Sequence, residues 1–313
     1  MTENSARFAD HSEAHSIPPG AVVVGVDGSE PALAAVRWAA QEAAYLGRPL
    51  HLLAVQEYLP GTVSIEDPMP WSHYQDRCNV LTSQILRAAS QEAANLAPDV
   101  PLTSACVTGR PSEHLIDASK HATCVVVGNR GQGRLAATML GTVSLQVAAH
   151  APGPVVVVRA WSDDQRAAMA DGPRRAVVGV DDSEQSRHAI RFALEHVGPQ
   201  GQVELVIAWW LEVVDGLVVT SPGSSGWEQV TQRHREILLE ALRAATGGTD
   251  DPRVTLRVER GHPAQTLVAT AASPQHTTLT VVGTRGRGGF AGLVLGSVSQ
   301  QVLVSSTGPV AVA

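Results

Sequence analysis

Short apolar runs alternate along the chain with longer segments in which apolar residues recur every three or four positions. The run VVVGV carries no polar side chain and is followed directly by Asp27. Leu33, Val36 and Ala40 come next, at the spacing of one helix face. The serine of the intervening GSE can cap the start of that helix. Uninterrupted apolar runs are typical of parallel strands that are buried on both faces. Strand and helix in this order predict an α/β fold, with helices covering both faces of a parallel sheet.

The same pattern occurs twice in the chain. The segment AVVVGVDGSEPALAAVRWA returns as AVVGVDDSEQSRHAIRFAL, which places Asp27 and Asp181 154 residues apart. Gly128 and Gly283 are 155 residues apart, and the closing GPVVVV returns as GPVAVA. A constant spacing of this length indicates two homologous domains, because solenoid repeats are several times shorter. The predicted segments are a flexible N-terminal tail, a first domain, a linker and a second domain, at 1–20, 21–158, 159–174 and 175–313.

Both halves continue with the same predicted elements. Apolar runs predict second strands at 50–58 and 203–210 and third strands near 102–107 and 253–259, and apolar periodicity predicts helices around 78–96 and 227–246. Helices with a proline near the first turn follow at 109–119 and 261–271. The stretches 57–77 and 211–230 show less pattern.

The composition is that of an ordinary globular protein, with 44% hydrophobic and 17% charged residues. The net charge of -7 argues against a nucleic-acid surface, because phosphate backbones are bound mainly by clustered Lys and Arg. No apolar run approaches the roughly 20 residues that cross a bilayer, and the N-terminal segment lacks the apolar core of a signal peptide, so we expect a cytoplasmic protein. Cys78, Cys106 and Cys124 show no CxxC or ligand-like spacing, which indicates neither a disulfide framework nor a structural zinc site.

A glycine-rich segment, GNRGQGRLAATMLGT from Gly128 to Thr142, directly follows a later apolar run. It lacks the lysine of a P-loop, because the only lysine of the chain, Lys120, lies before that run. The backbone N–H groups of a glycine turn and the positive end of the following helix can nevertheless bind phosphate. Ligands of doubly wound sheets bind beyond the carboxyl ends of the strands. If the first and fourth strands are neighbours, Asp27 and this loop face one crevice.

The loops also carry hydroxyl and cationic side chains that can support a phosphate. These side chains are Thr142, Ser144, Ser297, Ser299, Arg130 and Arg134. A tight turn and a helix cap are the alternative explanation for the glycines and hydroxyls, and Asp27 can serve simply as a helix-start residue. The spacing favours phosphate binding, because Gly-x-x-Gly, nine residues and Gly-Ser/Thr recur in the second half although most of the nine residues differ.

The pattern G-2x-G-9x-G-[ST], the strand-end GVDGSE and the closing GPVVVV resemble the universal stress protein family, in particular its tandem-domain ATP-binding members. The resemblance covers roughly residues 20–160 and 174–313. It implies two Rossmann-like (adenine nucleotide α-hydrolase-like) domains, each with a five-stranded parallel sheet of order 3-2-1-4-5. It also implies ATP bound without a lysine-bearing loop, and we expect Mg²⁺ to accompany it. By the same resemblance Asp27 and Gly25 lie at the ribose and phosphates, and the main chain of Val55 meets adenine.

The expected nucleotide-binding residues fall into two matching sets. The first set is Gly25, Asp27, Val55, Gly128, Asn129, Arg130, Gly131, Gly133, Arg134, Gly141, Thr142, Val143 and Ser144. The second set is Gly179, Asp181, Ala208, Gly283, Thr284, Arg285, Gly286, Arg287, Gly288, Gly296, Ser297, Val298 and Ser299. One departure is Asp182, which stands where the first copy has Gly28. Its carboxylate adds negative charge beside Asp181, which weakens the second site unless a divalent cation offsets it.

These features favour an ATP-binding regulatory protein of the stress response, in which occupancy switches conformation or partner choice with little or no hydrolysis. The alternatives are a slow ATPase or adenylyl-transfer enzyme, and an assembly module with vestigial nucleotide sites. The loops offer arginines but no obvious general base, and no HxGH motif is present, so we expect no catalytic residue. The expected partners are an unidentified regulatory protein and either a second copy or the other domain of the chain. The closing strands are the expected contact, because exposed apolar edges invite antiparallel pairing.

Overall fold

The computed structural model of the protein describes residues 17–57, 71–130, 140–159, 174–211, 213–214, 216–218, 221–272, 278–286 and 295–313. The strands of the first domain are β1 (Val22–Val26), β2 (Leu50–Gln56), β3 (Leu102–Thr108), β4 (Cys124–Gly128) and β5 (Val155–Val158). Its helices are α1 (Glu30–Leu46), α2 (Trp71–Leu96), α3 (Pro111–Ala118) and α4 (Thr142–His150). The strands of the second domain are β6 (Arg175–Gly179), β7 (Gln202–Trp209), β8 (Val213–Val214), β9 (Leu217–Val218), β10 (Val254–Arg260), β11 (Thr278–Val282) and β12 (Val310–Val312). Its helices are α5 (Glu184–Val197), α6 (Ser225–Thr246), α7 (Pro263–Ala271) and α8 (Ser297–Ser305).

The two domains share one ten-stranded sheet of order β10-β7-β6-β11-β12-β5-β4-β1-β2-β3. Each half is parallel and has the predicted order 3-2-1-4-5, so the expected Rossmann-like fold is confirmed. The halves meet where β5 and β12 pair antiparallel, with Val157 opposite Val310 and Val155 opposite Val312. The prediction that the closing strands pair is thus confirmed within one chain.

Apolar side chains cover both faces of this sheet. Helices α1, α2, α5 and α6 lie over one face, where a single cluster contains Trp38 and Leu52 from the first domain and Ile190 and Leu205 from the second. Helices α3, α4, α7 and α8 contribute to the cluster on the other face. Because both faces are buried there, the central strands β1, β4 and β5 read as continuous apolar runs, whereas the edge strands β3 and β10 carry exposed polar side chains. Among the described helices, none combines the length and the apolar character that crossing a bilayer requires.

The predicted serine cap of α1 is confirmed, and several boundaries are corrected. Ser29 caps α1 by accepting a hydrogen bond from the amide of Ala32 at 3.3 Å. Helix α2 begins at Trp71 and not near residue 78. The apolar pattern places the start too late because the first turns of the helix are largely exposed and carry no apolar periodicity. The segment 211–230 holds the small β8-β9 pair and the start of α6. Residues 17–20, assigned to the tail by sequence, belong to the first domain, since Ile17 packs on its core.

A group of polar side chains, with Glu42 and His196 buried at its centre, joins the domains beside the linker. We call this group, formed by Glu42, Tyr45, Arg174 and His196, the junction cluster. The Glu42 carboxylate on α1 pairs with Arg174 and lies 2.9 Å from Nδ1 of His196 on α5. Tyr45 donates to the carbonyl of Val197 at 2.7 Å, and the Arg174 guanidinium lies 3.7 Å from the Tyr45 ring centroid. Arg174, the predicted end of the linker, is therefore bound by both domains.

Candidate functional site

The turn after β1 carries the candidate aspartate of the first domain. Asp27 Oδ1 accepts a hydrogen bond from the amide of Ser29 at 2.9 Å, and the intervening Gly28 has a φ of 83°. This turn orients the carboxylate at the carboxyl edge of the sheet, immediately before the N-terminus of α1. The half-buried Asp27 side chain is consistent with the predicted ligand position.

The two ends of the first glycine loop are hydrogen-bonded to each other. We call this part of the loop, formed by residues 128–130 and 141–144, the neck. The amide of Gly141 donates to the carbonyl of Asn129 at 2.7 Å, and the amide of Asn129 donates to Val158 O at 2.7 Å. The buried Ser144 hydroxyl donates to Gly128 O at 2.6 Å, so in this structure it ties α4 to β4. The neck thus fixes the loop to β5 and to the start of α4. Gly131, Gly133 and Arg134 lie outside the described residues.

Packing against α1 requires a glycine at position 128, a requirement that the sequence motif did not reveal. A Cβ at this position would lie 2.6 Å from the carbonyl carbon of Pro31 and 2.9 Å from the amide of Ala32. The glycine therefore allows the end of β4 to approach the first turn of α1, which brings the loop and the Asp27 turn to the same edge. Gly25 is similarly close to α3, because its Cβ would lie 3.1 Å from Leu115.

The start of α4 presents main-chain donors and a hydroxyl. Gly141 is the N-cap, and as a glycine it has no side chain that could bind the amides of the first turn. Thr142 is exposed at the first helical position, whereas Val143 is half-buried and packs on the core. Amides at a helix N-terminus carry a partial positive charge and favour anions. This geometry suits the predicted phosphate position.

The second domain places its aspartate directly against its glycine loop. Asp181 Oδ1 accepts hydrogen bonds from the hydroxyls of Ser183 at 2.6 Å and Ser186 at 2.7 Å. A Cβ on Gly286 would lie 2.1 Å from Asp181 Oδ2. Carboxylate and loop therefore lie side by side in this domain.

The neck of the second loop repeats the first. The amide of Gly296 donates to Thr284 O at 2.8 Å, and the Ser299 hydroxyl donates to Gly283 O at 2.6 Å. A Cβ on Gly283 would lie 2.8 Å from Cβ of Gln185 in the first turn of α5. Arg285 lies within this neck, and exposed Ser297 and half-buried Val298 begin α8. The candidate Gly179 lies at the end of β6. Arg287 and Gly288 lie outside the described residues.

Asp182 adopts the left-handed conformation of the glycine that it replaces. Its φ is 66°, against 83° for Gly28 in the first domain, and it is the one non-glycine residue with positive φ in the described ranges. Aspartate tolerates this region better than most residues, but at a cost that glycine avoids. The second site thus carries both strain and an additional charge.

Arg130 belongs to the neck of the first loop and lies near the domain junction. Arg159, the predicted first residue of the linker, donates to the carbonyls of Leu303 and Val304 at the end of α8, at 2.9 and 2.7 Å. Burial lowers the pKa of Arg159, and the positive charge of Arg130 lowers it further. Two guanidinium groups therefore lie close to the first loop, one of which the motif did not predict.

The two domains differ beside the predicted adenine positions. Val55 lies one residue beyond the last pair of β1 with β2, and the adjacent Gln56 donates to Asn79 and Thr82 on α2. In the second domain, the residue after Ala208 is Trp209. Trp227 and His234 pack against it, a difference that a motif of main-chain contacts does not predict.

Metal-ligating side chains do not gather anywhere within the part of the chain that the structure describes. No group of three or more His, Cys, Asp or Glu side chains is placed there to hold an ion. Cys78, Cys106 and Cys124 are free thiols, and burial raises the pKa of the Cys124 thiol.

The sheet order, the strand-end aspartates and the lysine-free glycine loops define a tandem pair of Rossmann-like α/β domains. The sequence profile described as Universal stress protein family matches residues 20–159 and 173–313, and the chain belongs to this family. A universal stress protein of Mycolicibacterium smegmatis is 37% identical over 298 residues, which cover 93% of this chain and 96% of the relative.

Other relatives agree with this assignment. A universal stress protein of Mycobacterium tuberculosis is 34% identical over 299 residues, covering 93% of this chain and 96% of its own. The crystal structure of a universal stress protein from Archaeoglobus fulgidus superposes with a TM-score of 0.65 at 18% identity, covering 95% of this chain and 99% of that one. At this identity the superposition shows a common fold.

Proposed function

We propose that each domain binds ATP, accompanied by Mg²⁺, at the carboxyl ends of its strands, and that occupancy acts as a regulatory signal in the stress response. The contact between Asp181 and Gly286 carries this proposal, because a Cβ on Gly286 would lie only 2.1 Å from the carboxylate. A carboxylate can accept the hydroxyls of a ribose, and a glycine loop can bind the phosphates that follow it. Their contact at the switch point of the sheet matches the place where α/β sheets bind nucleotides.

The described residues fit a triphosphate. Gly141 and Gly296 leave the first amides of α4 and α8 without a side-chain cap, and Thr142 and Ser297 are exposed at the first helical positions. A negative charge at such a helix start is favoured by about 0.3–1 kcal/mol. Arg130 and Arg285 each add a positive charge beside their loop. The fit is better in the first domain because Gly28 stands there in place of Asp182.

Mg²⁺ would bind together with the nucleotide, because the phosphates of ATP are negatively charged. Mg²⁺ keeps several water ligands and binds through one or two carboxylates together with the phosphates. The described residues offer no larger group of ligands, so we propose that the ion arrives with ATP. In the second site it would offset the charge of Asp182.

A regulatory role is favoured over catalysis by the way Asp181 is held. Its Oδ1 accepts hydrogen bonds from the hydroxyls of Ser183 and Ser186, which occupy acceptor positions that a general base would need for its substrate. Hydrolysis of ATP requires an oriented nucleophile and a charge clamp on the transferred phosphoryl group. We propose that turnover is slow or absent.

The shared sheet offers a route between the two sites. The neck residue Asn129 is bonded to Val158 on β5, and β5 pairs with β12. Ala313, directly after β12, donates to Val282 O at the end of β11, which leads into the second loop. A shift of one loop on binding would therefore reach the other through two hydrogen-bonded strands. This supports occupancy as a conformational switch.

Calorimetry with Mg-ATP, together with the nucleotide content and phosphate release of the purified protein, tests the proposal. We expect up to two sites per chain and turnover well below one per second. Asp27→Asn should weaken one site, whereas Asp117→Asn, which alters an exposed partner of Lys120 at 2.6 Å, should not. Absence of both binding heat and co-purified nucleotide would overturn ATP binding. Turnover of several per second would overturn the regulatory role alone.

A further inference from the structure

An exposed tryptophan lies at the carboxyl edge of the second domain. Trp210 retains 55% of its surface exposed, although its ring is stacked on that of His262 with centroids 4.1 Å apart and planes 17° apart. His262 is the N-cap residue of α7, but its side chain makes no capping hydrogen bond. One face of the indole is therefore supported by an imidazole that the helix does not use.

This stacked pair lies beside the proposed nucleotide position. Trp210 follows Ala208 by two residues, and the amide of Gly261, which precedes His262, donates to the carbonyl of Trp209 at 2.9 Å. β7 is the immediate neighbour of β6, which ends two residues before Asp181. β11, which leads into the glycine loop, lies on the other side of β6. The stacked pair and the glycine loop therefore lie on opposite sides of the proposed nucleotide position.

The first domain has different chemistry at the matching positions. Where the second domain has Trp210 and His262, the first has Glu57 and Arg110, one residue before the proline that starts α3. Arg110 forms an exposed ion pair with Glu113 at 3.1 Å. The matching side of the crevice in the first domain is polar and charged, so the two crevices present different surfaces to a planar ring.

The layer beneath Trp210 is aromatic and well supported. Trp209 is only 4% exposed and packs edge-on against Trp227, with centroids 5.0 Å apart, and lies against His234 at 6.3 Å. Leu211, the residue after Trp210, is 62% exposed and extends the apolar surface. Aromatic rings on a rigid support bind a further ring with little loss of conformational entropy.

We propose that the Trp210 indole, backed by His262, stacks on the base of a nucleotide bound in the second domain and makes that site select for a planar nucleobase. This inference rests on the proposed function. Stacking compensates in the second domain for the charge and strain of Asp182 near the phosphates. The first domain, with Glu57 and Arg110, depends more on its phosphate contacts.

A pair of ligands separates base recognition from phosphate recognition. Mg-ATP and inorganic tripolyphosphate are titrated into the unmodified protein and into Trp210→Leu, Trp210→Phe and His262→Ala. We expect Trp210→Leu to weaken ATP at one of the two sites by roughly five-fold or more, with tripolyphosphate affinity unchanged within about two-fold. Trp210→Phe should keep most of the ATP affinity of the unmodified protein. His262→Ala should lose an amount between those of Trp210→Phe and Trp210→Leu. Trp71→Leu is the matched control, because Trp71 is also 55% exposed and stacks on Tyr74 of the first domain.

Each outcome bears on a separate claim. Absence of ATP binding to the unmodified protein overturns the proposed function and this inference with it. ATP binding that is unchanged in Trp210→Leu overturns the stacking inference and leaves the proposed function standing. Equal losses of ATP and tripolyphosphate affinity also overturn it, because Trp210 would then support the site as a whole. A loss confined to ATP, and absent from Trp71→Leu, supports it.

Discussion

Replacing Glu42 by Gln should destabilise the protein more than any exposed charge substitution. Glu42 is 1% exposed and its carboxylate is bonded to Arg174 and His196, so the substitution removes the charge while the size of the side chain is kept. Breaking a buried ion pair by removing one partner costs about 3–5 kcal/mol. The Arg174 side chain remains 18% exposed and can be partly hydrated, which places the expectation near the lower end, at about 3 kcal/mol. This corresponds to roughly a hundred-fold change in the unfolding equilibrium.

The pH dependence of the junction cluster supplies a second measurement. Burial raises the pKa of Glu42, but the charges and hydrogen bonds of His196 and Arg174 outweigh it, and the net pKa lies below the ordinary value of 4.5. Because the pKa is depressed in the folded state, the stabilisation by Glu42 is complete above the unfolded pKa and is lost as the pH falls through the folded pKa. The unmodified protein should therefore lose stability on acidification more steeply than Glu42→Gln.

Urea denaturation at neutral and acidic pH measures both effects. Glu240→Gln is the control, because Glu240 and its partner Arg243 are 56% and 59% exposed and such pairs contribute about 0–1 kcal/mol. The reasoning would be refuted by a Glu42→Gln destabilisation below about 1 kcal/mol, no larger than that of an exposed pair. An identical acid response of the two proteins would refute the assignment of the pH effect to Glu42.

Three further predictions concern the loops. Gly128→Ala should destabilise the protein by about 1–3 kcal/mol in urea denaturation, because the new Cβ meets the backbone of Pro31 at 2.6 Å, and an unchanged midpoint would contradict this. Asp182→Gly should stabilise the protein by up to about 1 kcal/mol by relieving a φ of 66°, and should tighten ATP binding at the second site; lower stability on denaturation would speak against it. Gly131→Val and Gly286→Val should each weaken ATP binding in their own domain, with the larger loss for Gly131→Val, while the circular dichroism stays unchanged. Unaltered ATP titrations of the folded variants would disprove a role of these glycines in phosphate binding.

Local patterns predicted the fold because the central strands are buried on both faces and the helices are amphipathic. The pairing of β5 with β12 also followed from their apolar character, since unpaired apolar edges are unfavourable in water. The junction cluster could not be predicted in this way. Glu42 occupies a helix position where charge is ordinarily exposed, and its partners Arg174 and His196 are more than a hundred residues away in the chain.

The candidate site was predicted less completely than the fold. The motif assigned Gly128 to phosphate contact, whereas the structure gives it a packing reason that depends on where α1 lies relative to β4. The hydroxyl of Ser144, predicted to face phosphate, donates to Gly128 O. Trp210 and His262 are separated by 52 positions and meet only through the adjacency of β7 and β10. Such contacts follow from tertiary structure and leave no periodic signal.

The antiparallel pairing of β5 with β12 has a consequence for stoichiometry. Two separate single-domain chains that met through these strands would dissociate on dilution and could exchange partners. In this chain the pairing is intramolecular, so it is governed by an effective concentration that the total protein concentration does not alter. The turn with Gly28 and the turn with Asp182 are therefore always present in a one-to-one ratio. The duplication therefore holds two unequal domains at a fixed ratio that does not depend on the amounts of two separate subunits.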